Sequence, residues 1–130
     1  MALKAIIVKT DFEAFHYWED APDEVGFLRN AHRHVFKVNV QIEVKESDRE
    51  LEFFMVKAEL DKYIEDKFKG KTFSLSCEMI AEDIVRFLRS KYKFNKAYSA
   101  EVYEDGENGG LFMTAPYERL EGEEQEVYEK

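Results

Sequence analysis

The residues best suited to chemistry are the three histidines, the only ones in the chain. Two of them stand in the stretch His32-Arg33-His34, at the start of a run that reads as a long strand. Residues i and i+2 of a strand point to the same face, so both imidazoles aim at one point. The third, His16, closes another strand-like run upstream. A pair on one strand plus a third from its neighbour builds a three-nitrogen metal site with an open fourth position, the pattern of catalytic rather than structural zinc. The same spacing also fits two surface histidines and an unrelated third, so the surrounding elements have to decide.

The elements that must hold these side chains follow from periodicity. Residues 3–16 alternate, with Ile6, Val8, Thr10, Phe12, Ala14 and His16 on one face. Residues 17–31 form a loop whose acids include Asp23 and Glu24, and whose aromatic and apolar residues favour order. Residues 32–46 alternate most clearly. The face that carries Phe36, Val38, Val40, Ile42 and Val44 also carries His32 and His34. Residues 53–69 fit an amphipathic helix that stops at Gly70. Ser76 caps a second helix, with Ile80, Ile84, Phe87 and Leu88 inward and basic residues, Arg89 among them, toward its end. Tyr98, Ala100, Val102 and Glu104 share one face of a strand over 96–104, and a last strand runs from Leu111 to Ala115.

This order predicts an α+β fold, a four-stranded antiparallel sheet with two helices on one face. One domain is expected over 1–117, followed by an acidic, solvated tail over 118–130. Two open sheet edges predict assembly of copies.

Composition narrows the partners. A chain of 130 residues with 45% hydrophobic content can bury a core. A net charge of −9 argues against nucleic acid or an anionic membrane surface, but not against a small anion held in a local pocket. The single cysteine, Cys77, has no partner for an intramolecular disulfide, and no signal peptide or membrane-length apolar run stands out. A reducing compartment, the cytoplasm, is the expectation.

Taken together, the elements resemble the 6-pyruvoyltetrahydropterin synthase / 6-carboxytetrahydropterin synthase family, with its tunnelling fold (T-fold), over about residues 8–112. Phe12-Glu13-Ala14-Phe15-His16 looks like the family's F-x-A-x-H, and His32-Arg33-His34 like its H-G-H. Glu52-Phe53-Phe54-Met55-Val56-Lys57 looks like D-F-x-x-L-K, and Ser76-Cys77-Glu78-Met79-Ile80-Ala81 like T-x-E-N-L-A. Val102-Tyr103-Glu104 looks like the strand whose final glutamate anchors the pterin.

The resemblance implies zinc (Zn2+) on His16, His32 and His34, and Glu104 on the aminopyrimidinone edge of a pterin or purine-like ligand. It implies a carbon–oxygen lyase of pterin or 7-deazapurine precursor chemistry, and a homo-oligomer, a hexamer or other barrel assembly. One ionised carboxylate can accept adjacent N–H and NH2 donors as a bidentate pair. An exposed glutamate entering a turn is the competing reading of Glu104.

The departures are specific. Leu28 stands where the family has its catalytic cysteine, the Asp-His pair after the first helix is missing, and Arg33 replaces the glycine between the histidines. A replacement base has three candidates: Glu24 and Asp23 in the loop, and Cys77, whose pKa a helix N-terminus could lower if it is not merely packed. A non-catalytic or differently acting zinc- and pterin- or purine-binding T-fold protein is the alternative function.

Overall fold

The structure is a computed structural model and describes residues 2–130. Two long strands dominate it. β1 (Lys4–His16) and β2 (His32–Val44) pair antiparallel along their full lengths, from Lys4 opposite Val44 to His16 opposite His32. Alternation fixes this register: a slip by one residue would turn Val8, Phe12 and Ala14, all buried, to the outer face.

α1 (Phe53–Lys67) and α2 (Cys77–Lys91) cover the inner face. Val56, Leu60 and Ile64 of α1 and Ile80, Ala81, Ile84, Val85 and Leu88 of α2 meet Phe12, Phe36, Val38 and Val40 in one core. Phe12 stacks on Phe36 at 5.1 Å and on Phe68 at 5.6 Å between ring centroids. Full burial of one such side chain is worth about 1.5–3 kcal/mol. Both helices begin on side-chain caps. The Glu52 carboxylate accepts from Phe54 and Met55 N–H, both at 3.1 Å, and the Ser76 hydroxyl accepts from Met79 N–H at 3.2 Å.

β4 (Tyr98–Glu104) adds to β2, and β5 (Gly109–Thr114) adds to β4. The expected four strands are five, because the segment after α1 forms a two-residue strand, β3 (Thr72–Phe73), parallel to the end of β1. The order is β3-β1-β2-β4-β5. Hydrogen-bond demand explains the extra strand: Phe15 N–H donates to Lys71 O at 2.9 Å and Gly70 N–H to Glu13 O at 2.7 Å. Gly70 makes the turn at φ 73°. The expected loop before β2 contains a 3₁₀ segment, Asp23–Arg29.

The acidic C-terminus, expected as a solvated tail, is exposed at most positions but anchored at two. A 3₁₀ turn over Gln125–Glu129 buries Val127, and Glu123 reaches back to α2. There Arg89, with no exposed surface, donates from Nε and Nη2 to the two Glu123 oxygens, each at 2.8 Å. A charged pair this buried stands because both partners are present. No helix among the described residues is long and apolar enough to cross a membrane.

Candidate metal centre

The β1–β2 ladder ends at the histidines. His16 faces His32 across the strands, and His34 lies two residues further along β2 on the same side. Ring centroids are 4.5 Å apart for His16–His32, 5.1 Å for His16–His34 and 5.0 Å for His32–His34. One nitrogen from each ring lies within 4.8 Å of the other two. The structure therefore brings together the three residues that the sequence singled out.

Each Nδ1 has its own partner. His16 Nδ1 meets Leu75 O at 3.0 Å, His32 Nδ1 meets Asn30 O at 2.9 Å, and His34 Nδ1 meets Asp105 Oδ2 at 2.7 Å. A carbonyl oxygen only accepts, so Nδ1 of His16 and of His32 donates and Nε2 keeps its lone pair. Metal-binding histidines are held by partners of this kind. His32 Nε2 is buried with no hydrogen-bond partner. Burial holds the His16 pKa below the usual imidazole range, against the opposing hydrogen bond to Leu75 O and the charge of Glu104. An orphaned nitrogen and three oriented imidazoles fit a metal ion.

A cavity of about 630 Å³ opens beside this cluster. His16, His32, Glu104, Cys77 and Glu78 share its wall with Trp18, Leu28, Leu75 and Met79. Gly110 brings the start of α2 to this wall. A side-chain carbon there would lie 2.5 Å from Glu78 N. Glu104 turns its carboxylate to the histidines, with Oε2 3.0 Å from His16 Nε2 and Oε1 3.6 Å from His34 Nε2.

The other candidates fare differently. Cys77 lines the cavity, but its thiol is pushed up to about 12 by burial, then by the charges of Glu104 and Glu78. Burial and the two carboxylates support the packed reading of Cys77 rather than a thiol lowered at the helix N-terminus. Asp23 and Glu24 are not part of the cavity wall. Both are exposed on the 3₁₀ segment, where Asp23 pairs with Arg29 at 2.7 Å. Arg33 and Lys37 lie on the outer face, paired with Glu13 at 2.6 Å and with Asp11 at 3.3 Å.

Two residues enter that sequence reasoning missed. Asp105 follows Glu104 at the positive φ of 56° and supports His34. Only the folded turn shows this contact. Glu78 was visible as an acid in the first turn of a helix, but not as part of a cavity. The Ser76 hydroxyl beside it, then its own N–H, hold its pKa below the usual carboxylate range.

Comparison with known proteins finds no family model that matches the chain and no curated protein that matches it.

Proposed function

We propose that this chain is a zinc-dependent T-fold lyase of the 6-pyruvoyl- or 6-carboxy-tetrahydropterin synthase type, acting on a reduced pterin such as dihydroneopterin triphosphate with an altered proton relay. The observation that carries this reading is the convergence of the three imidazoles beside a cavity whose wall holds His16, His32 and two carboxylates. The T-fold reading draws on the order of the elements, two hairpins around a helix pair, with the β3 segment as an addition.

His16, His32 and His34 would hold the zinc; three neutral imidazoles suit it and leave its charge intact. Bound there, zinc supplies Lewis-acid help to proton removal from a neighbouring carbon. Glu104 is the anchor by resemblance, yet its oxygens lie against the histidines. Glu78 is the carboxylate on the same wall with no histidine contact, held ionised beside Ser76. We assign Glu78 the aminopyrimidinone edge, whose adjacent donors one carboxylate accepts together. Leu28, Leu75 and Met79 form the apolar part of the same wall, where a planar ring would pack.

Two further expectations belong to this reading. β5 is an edge strand with Leu111 and Met113 exposed, which supports a homo-oligomer paired through the sheet. A lone, buried thiol at Cys77 supports a cytoplasmic, reducing compartment.

A second reading has its own support. Leu28 lines the cavity where the resemblance calls for a cysteine, Cys77 is a neutral thiol, and Asp23 and Glu24 lie outside the wall. General acid–base groups contribute ~10²–10⁴-fold. A site without them would bind a zinc-held pterin or purine-like ligand and not turn it over. Incubating the zinc-loaded protein with dihydroneopterin triphosphate, with products read by mass spectrometry, separates the two. A pyruvoyl or carboxy pterin that vanishes in His34→Ala establishes the lyase. Unchanged substrate from a zinc-loaded, folded protein leaves the binding protein.

A further inference from the structure

The three histidines alone would leave a metal with an open position. Glu104 stands where the fourth ligand would be. Its oxygens lie 3.0 Å from His16 Nε2 and 3.6 Å from His34 Nε2. Zinc binds nitrogen and carboxylate oxygen at about 2.0–2.2 Å in tetrahedral sites, which sets the edge between two ligand atoms at about 3.3 Å. The separations His16 Nε2–Oε2 and His34 Nε2–Oε1, one from each carboxylate oxygen, fall on either side of that edge.

The chemistry of the contact agrees with the distances. His16 Nδ1 is occupied by Leu75 O, so His16 Nε2 presents a lone pair to Glu104. With His16 neutral, no proton lies between Nε2 and Oε2 at 3.0 Å, and a cation bound to both accounts for the contact. The third corner is His32 Nε2, buried without a partner. His34 also presents Nε2, because its Nδ1 is held by Asp105.

We propose that Glu104 is the fourth ligand of the resting metal centre, giving a closed set of three imidazoles and one carboxylate, and that an oxygen-donor ligand entering the cavity displaces it. Displacement is open to this side chain. About a third of it is exposed, and it lines the cavity itself. It stands at the last residue of β4, so the swing of one side chain breaks no strand pairing beyond its own. The inference rests on the metal centre of the function proposed above and needs none of its pterin chemistry.

Cobalt(II) reports the coordination directly. The full-length protein is loaded with cobalt(II), its visible absorption recorded, and thiocyanate added as a small anionic ligand. The wild type is expected to show an intense four-coordinate spectrum that thiocyanate leaves unchanged, while Glu104→Ala shifts at the same concentration. Competition with a chromophoric chelator gives zinc affinity. Glu104→Gln, which keeps the shape of the side chain, is expected to weaken zinc at least ~10-fold. Glu101→Gln, on the outer face of the same strand, is expected to match the wild type. Far-UV circular dichroism of Glu104→Gln confirms the fold if the alanine variant fails.

A wild-type spectrum that moves with thiocyanate as Glu104→Ala does, or zinc affinity of Glu104→Gln within twofold of wild type, overturns the assignment. Failure to bind cobalt or zinc at all overturns this inference and the metal reading together. A closed cobalt centre in a protein that forms no pterin product keeps the ligand assignment and removes only the lyase.

Discussion

Asp105 holds His34 and the strand beneath it with one carboxylate. Oδ2 meets His34 Nδ1 at 2.7 Å, and Oδ1 accepts Val35 N–H at 2.9 Å. The backbone closes the same loop, with Asp105 N–H donating to Val35 O at 2.8 Å. The turn between β4 and β5 is thereby latched to the strand that carries two of the three imidazoles. Partners of this kind fix the ring and strengthen its free nitrogen as a ligand.

Asp105→Asn is therefore expected to weaken zinc about 10–100-fold with the fold intact. Chelator competition and far-UV circular dichroism measure both. The hydrogen bonds from His34, then Val35, hold the Asp105 carboxyl below the usual carboxylate range. Its support is present above that usual range and is lost as pH falls through the lowered value. Equal zinc affinity in wild type and variant would remove the latch from the account.

Cys77 should be slow to alkylate. A thiol pushed up to about 12 by burial holds almost no thiolate at pH 8. Iodoacetamide labelling of the folded protein is expected to run ~100-fold or more slower than that of free cysteine. It should reach the free rate in denaturant. Fast labelling of the native protein would restore Cys77 as a candidate base or nucleophile.

The Lys96–Glu50 pair ties the start of β4 to the chain between β2 and α1. Lys96 is buried, and its ammonium also donates to Glu43 O at 2.9 Å. Glu50 is held down to about 2 by Lys96 first and by the N–H groups of Glu46 and Lys45 next. A carboxylate depressed in this way stabilises the fold above its ordinary pKa, and that contribution fades as pH falls toward about 2. Glu50→Gln is expected to cost about 2 kcal/mol at pH 7, judged from buried pairs with one member removed and discounted for the partial exposure of Glu50. Urea unfolding across pH should show the two proteins converging in acid. A pH-independent difference would contradict the pairing.

Glu123→Ala should be among the most damaging single changes outside the apolar core. It leaves the Arg89 guanidinium buried in α2 without its carboxylate. The expected loss is about 3–5 kcal/mol in denaturant unfolding. A change below 1 kcal/mol would mean that the C-terminal segment contributes little to the folded chain.

The centre was legible in the sequence because a period of two determines its geometry. Once residues 32–46 alternate, His32 and His34 must share the face that carries Phe36 and Val38, and His16 follows from the facing strand. The helices were legible for the same reason, from Leu60 and Ile64 in one and from Ile80 and Ile84 in the other. Asp105 and Glu78 were not, since their roles depend on a turn and on a close approach at Gly110 that no periodicity encodes. The C-terminal segment misled because its acids outnumber its apolar residues. Two of them, Glu123 and Val127, nonetheless do the packing, one against a buried guanidinium and one in the core's margin. β3 escaped because two residues are too few to show alternation.

His16 and His32 stand opposite each other at the end of the ladder. The chain between them leaves the sheet and returns, and a metal held by both would join the two ends of that excursion as a disulfide would. Closing a loop in the unfolded chain removes conformational freedom that the folded chain has already given up. The ion would thus act as a clasp on the longest hairpin of the protein. It would favour the one register in which Phe12 meets Phe36, so that loading and folding draw on the same free energy.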